Sequence, residues 1–181
     1  MIFELVVLIF RAKMRYYLSL GSNLGQRARH LAQARSLLQK AGVRIIRQSS
    51  IYETEPVDYL DQPWFYNQVL EVEAARSPMA LLHLVKEIEL RMKRRPSVDK
   101  GPRVIDIDIL LAGKNVVQTN RLVLPHPRMS FRNFVMVPLA EIAPDFVHPL
   151  FHLPVSVLAR MTGDSSVVRK VGIAHHQAQA V

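Results

Sequence analysis

An α+β fold is what the 181-residue sequence predicts, its elements running β-α-β-β-α-β with a C-terminal extension after the sixth. Three observations carry that expectation. Runs rich in β-branched and aliphatic residues recur at strand length, at residues 15–20, 43–55, 65–74 and 104–111. Two stretches between them keep apolar residues at helical spacing and have recognisable start or stop residues. The two kinds of segment alternate in the order given.

The first strand, residues 15–20, ends at the tight turn Gly21-Ser22-Asn23. From there Leu24, Ala28, Leu31, Leu38 and Ala41 predict a helix, and Gly42 supplies its stop. Residues 43–55 read as β-rich up to Pro56, and Asp61-Gln62-Pro63 as a loop. Residues 65–74 alternate as a strand. Ser77 caps a second helix with Pro78 at its first position, and Leu81, Val85, Ile88 and Met92 form its core stripe. After the strand at 104–111 come the turn Gly113-Lys114-Asn115, a short strand at Val116-Val117, and the rigid corner Pro125-His126-Pro127. Residues 132–142 predict a helix that Pro138 interrupts, and residues 155–161 a shorter one. This order is that of the ferredoxin-like split-βαβ arrangement, a sheet covered by helices on one side.

Within the strand at 104–111, Asp106 and Asp108 stand at i and i+2 and therefore share a face, their Cα atoms roughly 6.5–7 Å apart. Ile105, Ile107 and Ile109 take the opposite face and can enter the core. Two adjacent carboxylates repel, so something positive must sit over them. Either Arg103 and its neighbours form salt bridges there, or hard cations do the work. A pair of Mg²⁺ ions clamping a transferring phosphoryl group fits the spacing. The preceding run holds Arg91, Lys93, Arg94, Arg95, Lys100 and Arg103 against the single acid Asp99, and Pro96 and Gly101-Pro102 make its second half a loop. A cationic loop beside paired carboxylates suits a polyphosphate, because Arg forks match phosphate oxygens.

Composition narrows the partners. Twenty-four Lys and Arg against fifteen Asp and Glu leave a net charge of +9, which favours anionic ligands. Zero cysteines exclude a disulfide framework and any Cys-ligated metal, and a cytoplasmic location is expected. The apolar stretch from Met1 to Phe10 is too short to span a bilayer and has no basic leader or small-residue cleavage site. Residues 1–13 are read as an N-terminal extension outside the fold, residues 14–162 as the domain, and residues 163–181 as a flexible tail. Gly21-Ser22-Asn23-Leu24-Gly25 suggests a phosphate turn but has neither the GxGxxG pattern nor the Walker lysine.

Five motifs in sequence order sharpen this. They are Leu18-Ser19-Leu20-Gly21-Ser22-Asn23-Leu24-Gly25; Ser50-Ile51-Tyr52-Glu53-Thr54-Glu55-Pro56; Phe65-Tyr66-Asn67; Gly101-Pro102-Arg103 with Asp106 and Asp108; and Pro125-His126-Pro127-Arg128-Met129 with Arg132 and Phe134. Together they resemble the 6-hydroxymethyl-7,8-dihydropterin pyrophosphokinase family over residues 16–149. The resemblance implies transfer of the terminal pyrophosphoryl unit of ATP to the pterin hydroxymethyl oxygen, releasing AMP, in folate biosynthesis. It implies that Asp106 and Asp108 hold two Mg²⁺ ions and that Arg94 and Arg103 act on the transferring group. Lys100, Arg121, His126 and Arg132 are the expected ATP-binding groups. Gly21, Thr54, Val57, Phe65, Asn67 and Phe134 are the expected pterin site, with the two aromatics stacking on the ring and the Asn67 amide meeting its pyrimidine edge. Three positions depart from the family pattern: Lys100 replaces a Trp, Pro96 a second loop arginine, and Lys93 a Gly. ATP and a reduced pterin are the expected partners, and the chain is expected to be a monomer. Asp106 and Asp108 on a central strand would repel a phosphate backbone, so nucleic acid is not an expected partner, and neither is a membrane.

Overall fold

Every long strand has one apolar face, and the structure, a computed structural model that describes residues 13–93 and 101–172, stacks helices on both sides of the sheet. The elements are β1 (Met14–Ser22), α1 (Arg27–Lys40), β2 (Arg44–Gln48), β3 (Tyr52–Thr54), β4 (Phe65–Ala74), α2 (Pro78–Arg91), β5 (Asp106–Ala112), β6 (Val117–Gln118), β7 (Val123–Leu124), α3 (Asn133–Ile142), α4 (Val155–Arg160) and β8 (Val168–Lys170). A 3₁₀ turn, Met129–Phe131, precedes α3. Neighbouring strands of the main sheet run in the order β5-β1-β4-β3-β8, with β2 also on β4, and their pairings are antiparallel.

One layer packs Leu31, Ala34 and Leu38 of α1 and Leu81, Val85 and Ile88 of α2 on Tyr16, Leu18, Leu20, Leu70, Val72, Ile107 and Ile109. The other packs Val135, Met136 and Leu139 of α3 and Val155 and Leu158 of α4 on Tyr17, Val69 and Leu111. Helices on one side only were expected, and α3 and α4 overturn that: the hydrophobic period of residues 133–142 gives them a stripe that needs the second sheet face. Pro138 sits inside α3 without ending it. Ser77 caps α2 through its hydroxyl, which accepts from the Ala80 N–H at 3.3 Å.

Four differences from the expected elements have physical causes. Helix α1 starts at Arg27, because Gly25 turns the chain at a φ of +58° and leaves Leu24 exposed. The β-rich run at 43–55 divides into β2 and β3, since Ser49 turns inward to bond the Val69 N–H at 2.9 Å. Among the described residues the aspartate strand β5 lies at the sheet edge, paired with β1 as its one neighbouring strand, and is not a central one. Residues from Gly163 on, expected to be a loose tail, include β8, which pairs with β3. Residues 1–12, 94–100 and 173–181 lie outside the described residues, and among those described no helix is long and apolar enough to cross a membrane.

Candidate active site

Strand alternation assembles the site. On the face where Tyr17 and Val69 lie under α3, the next positions toward the other end are Ser19 and Gly21 on β1, Asn67 and Phe65 on β4, and Asp108 and Asp106 on β5. Register sets Ser19 opposite Asp108, and Gly21 between Asn67 and Asp106. Past the N-terminus of α3 this face opens into a cavity of about 480 Å³. Thr54, Glu55, Val57 and Asp58 form one wall; Phe134, Arg132, Arg128 and His126 form another; Lys86 and Arg103 complete the lining.

The two aspartates differ. Arg103 Nη1 lies 3.1 Å from Asp106 Oδ2, the salt bridge that the spacing left open as one alternative. Asp108 has no ion pair or hydrogen bond to its carboxylate among the described residues. Burial pushes its carboxyl above the usual range and the charge of Asp106 pushes it further, against the pull of His126, Lys86 and Arg132. Lys86 belongs to α2 on the far side of the sheet, and it lines the cavity because, among the described residues, no strand lies beyond β5. Its partner Glu89, almost fully buried, takes the Lys86 ammonium at 3.0 Å and accepts the Ile107 N–H at 2.7 Å. That bond occupies the open edge of β5 between the two aspartates.

A bulge places the histidine. Leu110 has no partner in the β1 register, which steps from Leu111 to Ile109, and its carbonyl accepts the His126 N–H at 2.8 Å. His126 Nδ1 accepts the Arg128 N–H at 3.2 Å, and burial pushes the ring pKa down from its ordinary value. A neutral ring with Nδ1 accepting carries its proton on Nε2, a donor. Arg132 is likewise pushed down from its ordinary value, first by burial and then by Arg128. It is tied to Asp58 at 3.2 Å, and its guanidinium lies 5.4 Å from the Phe134 ring centroid.

The opposite wall is built around an amide. Asn67 Nδ2 donates to Thr54 Oγ1 at 2.8 Å, which fixes which way the carboxamide faces. A Cβ at Gly21 would stand 2.7 Å from Asn67 Oδ1, so only glycine leaves the amide room. Arg103 sits 5.3 Å over the Phe65 ring. Buried Asn23 locks the Arg103 backbone, accepting its N–H at 2.7 Å and donating its own N–H to the Arg103 carbonyl at 3.1 Å. The Asn23 amide nitrogen donates to Gln62 Oε1 at 2.9 Å and the Pro63 carbonyl at 3.1 Å, joining that loop to residues 62–63.

Of the residues expected at the site, Gly21, Thr54, Val57, Phe65, Asn67, Arg103, Asp106, Asp108, His126, Arg132 and Phe134 meet in the cavity. Arg121 does not line it: its N–H bonds Thr119 Oγ1 at 3.3 Å in the turn before β7. Arg94 and Lys100 lie outside the described residues. Sequence reasoning missed Ser19, Glu55, Asp58, Lys86 and Arg128 as lining residues. Ser19 was legible, two positions before Gly21 on one strand face; Lys86 left the trace of an i, i+3 pair with Glu89.

The family profile for 7,8-dihydro-6-hydroxymethylpterin-pyrophosphokinase (HPPK) matches residues 17–144. The chain belongs to the HPPK family. It is 47% identical over 127 residues to the 2-amino-4-hydroxy-6-hydroxymethyldihydropteridine pyrophosphokinase of Bacillus subtilis, covering 70% of this chain and 76% of that one. The protein of the same name from Methylorubrum extorquens is 44% identical over 134 residues, covering 74% and 85% of the two chains. The folic acid synthesis protein fol1 of Pneumocystis carinii is 39% identical over 140 residues, and there this chain spans only 19% of the relative's length. A crystal structure of Plasmodium falciparum HPPK-DHPS matches with a TM-score of 0.69 at 17% identity, covering 87% of this chain and 47% of that one. At that identity the likeness is one of fold, an antiparallel sheet with helices. All of the lining residues fall inside the stretch that the HPPK profile matches.

Proposed function

We propose that this protein transfers the pyrophosphoryl group of ATP to the hydroxymethyl oxygen of 6-hydroxymethyl-7,8-dihydropterin, giving the pterin diphosphate and AMP in folate biosynthesis. The observation that carries this reading is the meeting, in one cavity, of Asp106 and Asp108 with the cationic groups Lys86, Arg103, Arg128 and Arg132 and with the set Phe65, Asn67 and Phe134. Membership of the HPPK family supports the same reaction.

The donor set fits Mg²⁺. Asp106 and Asp108 supply hard oxygens on one face, and Asp108, raised by burial and by its neighbour's charge, calls for a positive partner that Arg103 gives only to Asp106. Among the described residues no group of three or more His, Cys, Asp or Glu is placed to hold an ion, so the rest of a magnesium shell would come from water and phosphate oxygens. Asp106 and Asp108 would hold the two ions, which supply charge neutralisation and alignment of the triphosphate.

The chain's own groups do the rest. Phe65 and Phe134 would stack on the two faces of the pterin, and the Asn67 amide, held by Thr54, would read its pyrimidine edge. Gly21 and the backbone at Thr54 and Val57 would close around the ring. His126 would donate from Nε2 to a phosphate oxygen, and Arg132 would leave Asp58 to fork onto another. Arg103, already fixed by Asn23 and Asp106, would stabilise charge that develops on the transferring group. Arg94, Lys100 and Arg121 are proposed for the phosphates on the motif alone.

The strand order, with β1 between β5 and β4, supports reading the sheet as ferredoxin-like extended by β8. A cytoplasmic monomer working on ATP and a reduced pterin, without nucleic acid or membrane, completes the reading, and a cysteine-free chain suits a reducing compartment. The test is to mix the protein with ATP, Mg²⁺ and 6-hydroxymethyl-7,8-dihydropterin and resolve the nucleotide products. Pterin-dependent AMP is expected; ADP would mean an ordinary kinase, and no product at all would remove the assignment.

A further inference from the structure

The chain after α4 ties together two walls of the cavity. Its first anchor is Asn133, the opening residue of α3. The Asn133 N–H donates to Asp164 Oδ2 at 2.7 Å, its amide nitrogen to the Asp164 carbonyl, and its Oδ1 accepts from the Thr162 hydroxyl at 2.6 Å. The sequence neighbours of Asn133, Arg132 and Phe134, both line the cavity. Arg132 at the N-cap position makes no side-chain cap bond, so Asp164 does that work from 31 positions away. A carboxylate there also complements the helix dipole. Burial opposes its ionisation, yet the N–H groups of Asn133 and Ser166 hold the carboxyl below the usual range.

The second anchor is the opposite wall. The Val167 N–H donates to Glu55 Oε2 at 2.8 Å, and the Glu55 N–H donates back to the Val167 carbonyl at 3.1 Å. Strand β8 then pairs Val168 with Thr54 and Lys170 with Tyr52, and Arg169 lies 5.4 Å over the Trp64 ring, next to Phe65. One short stretch is thus bonded to the helix that carries Phe134 and to the strand that carries Thr54. All of it falls beyond the residues that the HPPK profile matches.

We propose that residues 162–170 are a positioning tie that sets the distance between Phe134 and the Thr54–Asn67 wall, and so tunes the cavity for a flat heterocycle. This rests on the pterin reading above. Asp108, Arg103 and His126 have no bond to this stretch among the described residues, whereas Arg132, next to Asn133, feels the Asp164 charge, so loosening of the stretch should fall mainly on the heterocycle and less on the nucleotide. Misplacement of a binding group by about 1 Å can cost ~10²-fold, so a partial loosening should be plainly measurable.

The test compares the full chain with Asp164→Ala, Asp164→Asn and Thr162→Val, reading KM for each substrate and, independently of turnover, the fluorescence anisotropy of oxidised 6-hydroxymethylpterin. Asp164→Ala is expected to raise the pterin KM and the pterin dissociation constant about tenfold while the ATP KM changes clearly less, by about threefold at most through Arg132. Asp164→Asn keeps an acceptor for the Asn133 N–H and should recover most of that loss. Thr162→Val, which removes one bond and serves if the alanine variant does not fold, should raise the pterin KM about threefold. Unchanged pterin binding in folded variants, or equal rises in both KM values, overturns the tie and leaves the reaction assignment standing. A wild-type chain that forms no AMP overturns the reaction assignment instead.

Discussion

Glu71 and Asp108 sit on the same face of one sheet, each beside β1, and the protein treats them in opposite ways. Glu71, opposite Tyr17 in register, is fully buried and held by Arg15 at 3.1 Å and by Arg47. Asp108, opposite Ser19 in register, has no ion pair of its own among the described residues and is pushed toward its protonated form by burial and by Asp106. A buried carboxylate that folding needs is neutralised by the fold; one left uncompensated is kept for something that arrives later. The contrast marks one end of the face as structure and the other as site.

The sharpest way to break the comparison is to neutralise each acid in turn. Asp108→Asn should lower pyrophosphoryl transfer by about 10³-fold or more while leaving the melting temperature unchanged or higher. Glu71→Gln should do the reverse, costing about 1–3 kcal/mol in denaturant unfolding with turnover within about twofold. Matched losses of activity in both variants would erase the distinction.

A weaker effect is expected at Arg132. Asp58 occupies it at 3.2 Å and approaches Arg128 at 3.9 Å, from a left-handed backbone conformation with φ near 70°. Asp58→Ala should release both arginines for phosphate and lower the ATP KM. A half-exposed pair is worth at most about 1 kcal/mol, so the change should stay below about fivefold. An increase would show that Asp58 helps to hold nucleotide instead.

The smallest effect concerns the histidines, which repeat the contrast. His126 faces the cavity, whereas buried His148 spends Nδ1 on the N–H groups of Leu150 and Phe151, each at 3.2 Å. Burial and then His152 push His148 below its ordinary value. Its neutral form therefore favours the fold: that stability is present above pH ~6.5 and is lost as pH falls through the lower folded pKa. Melting temperature should drop between about pH 7 and pH 5, and His148→Gln should flatten the drop. An unchanged slope would put the proton elsewhere.

Much of the site was legible because strands alternate. The i, i+2 spacing of Asp106 and Asp108 put both on one face, and Phe65–Ala74 matched β4 at both ends. What escaped was set by contacts distant in sequence. The 43–55 run divides because Ser49 bonds Val69 and Ser50 bonds Glu141, neither visible in its own residues. The edge position of β5 follows from strand order, and it lets Lys86 reach the cavity from the helix layer behind. Strand β8 has three residues and no period to read; Glu55 and Asn133 hold its approach, through Val167 and Asp164, from far earlier positions.

The most direct measurement counts ions. Mn²⁺, visible by electron paramagnetic resonance, would be titrated with the non-transferable analogue α,β-methylene-ATP into the wild-type chain and into the Asp106→Asn/Asp108→Asn double variant. About two ions held per wild-type chain, falling to what the nucleotide alone retains in the double variant, is the predicted result. The same count in both proteins would contradict the claim that these two carboxylates gather the metal.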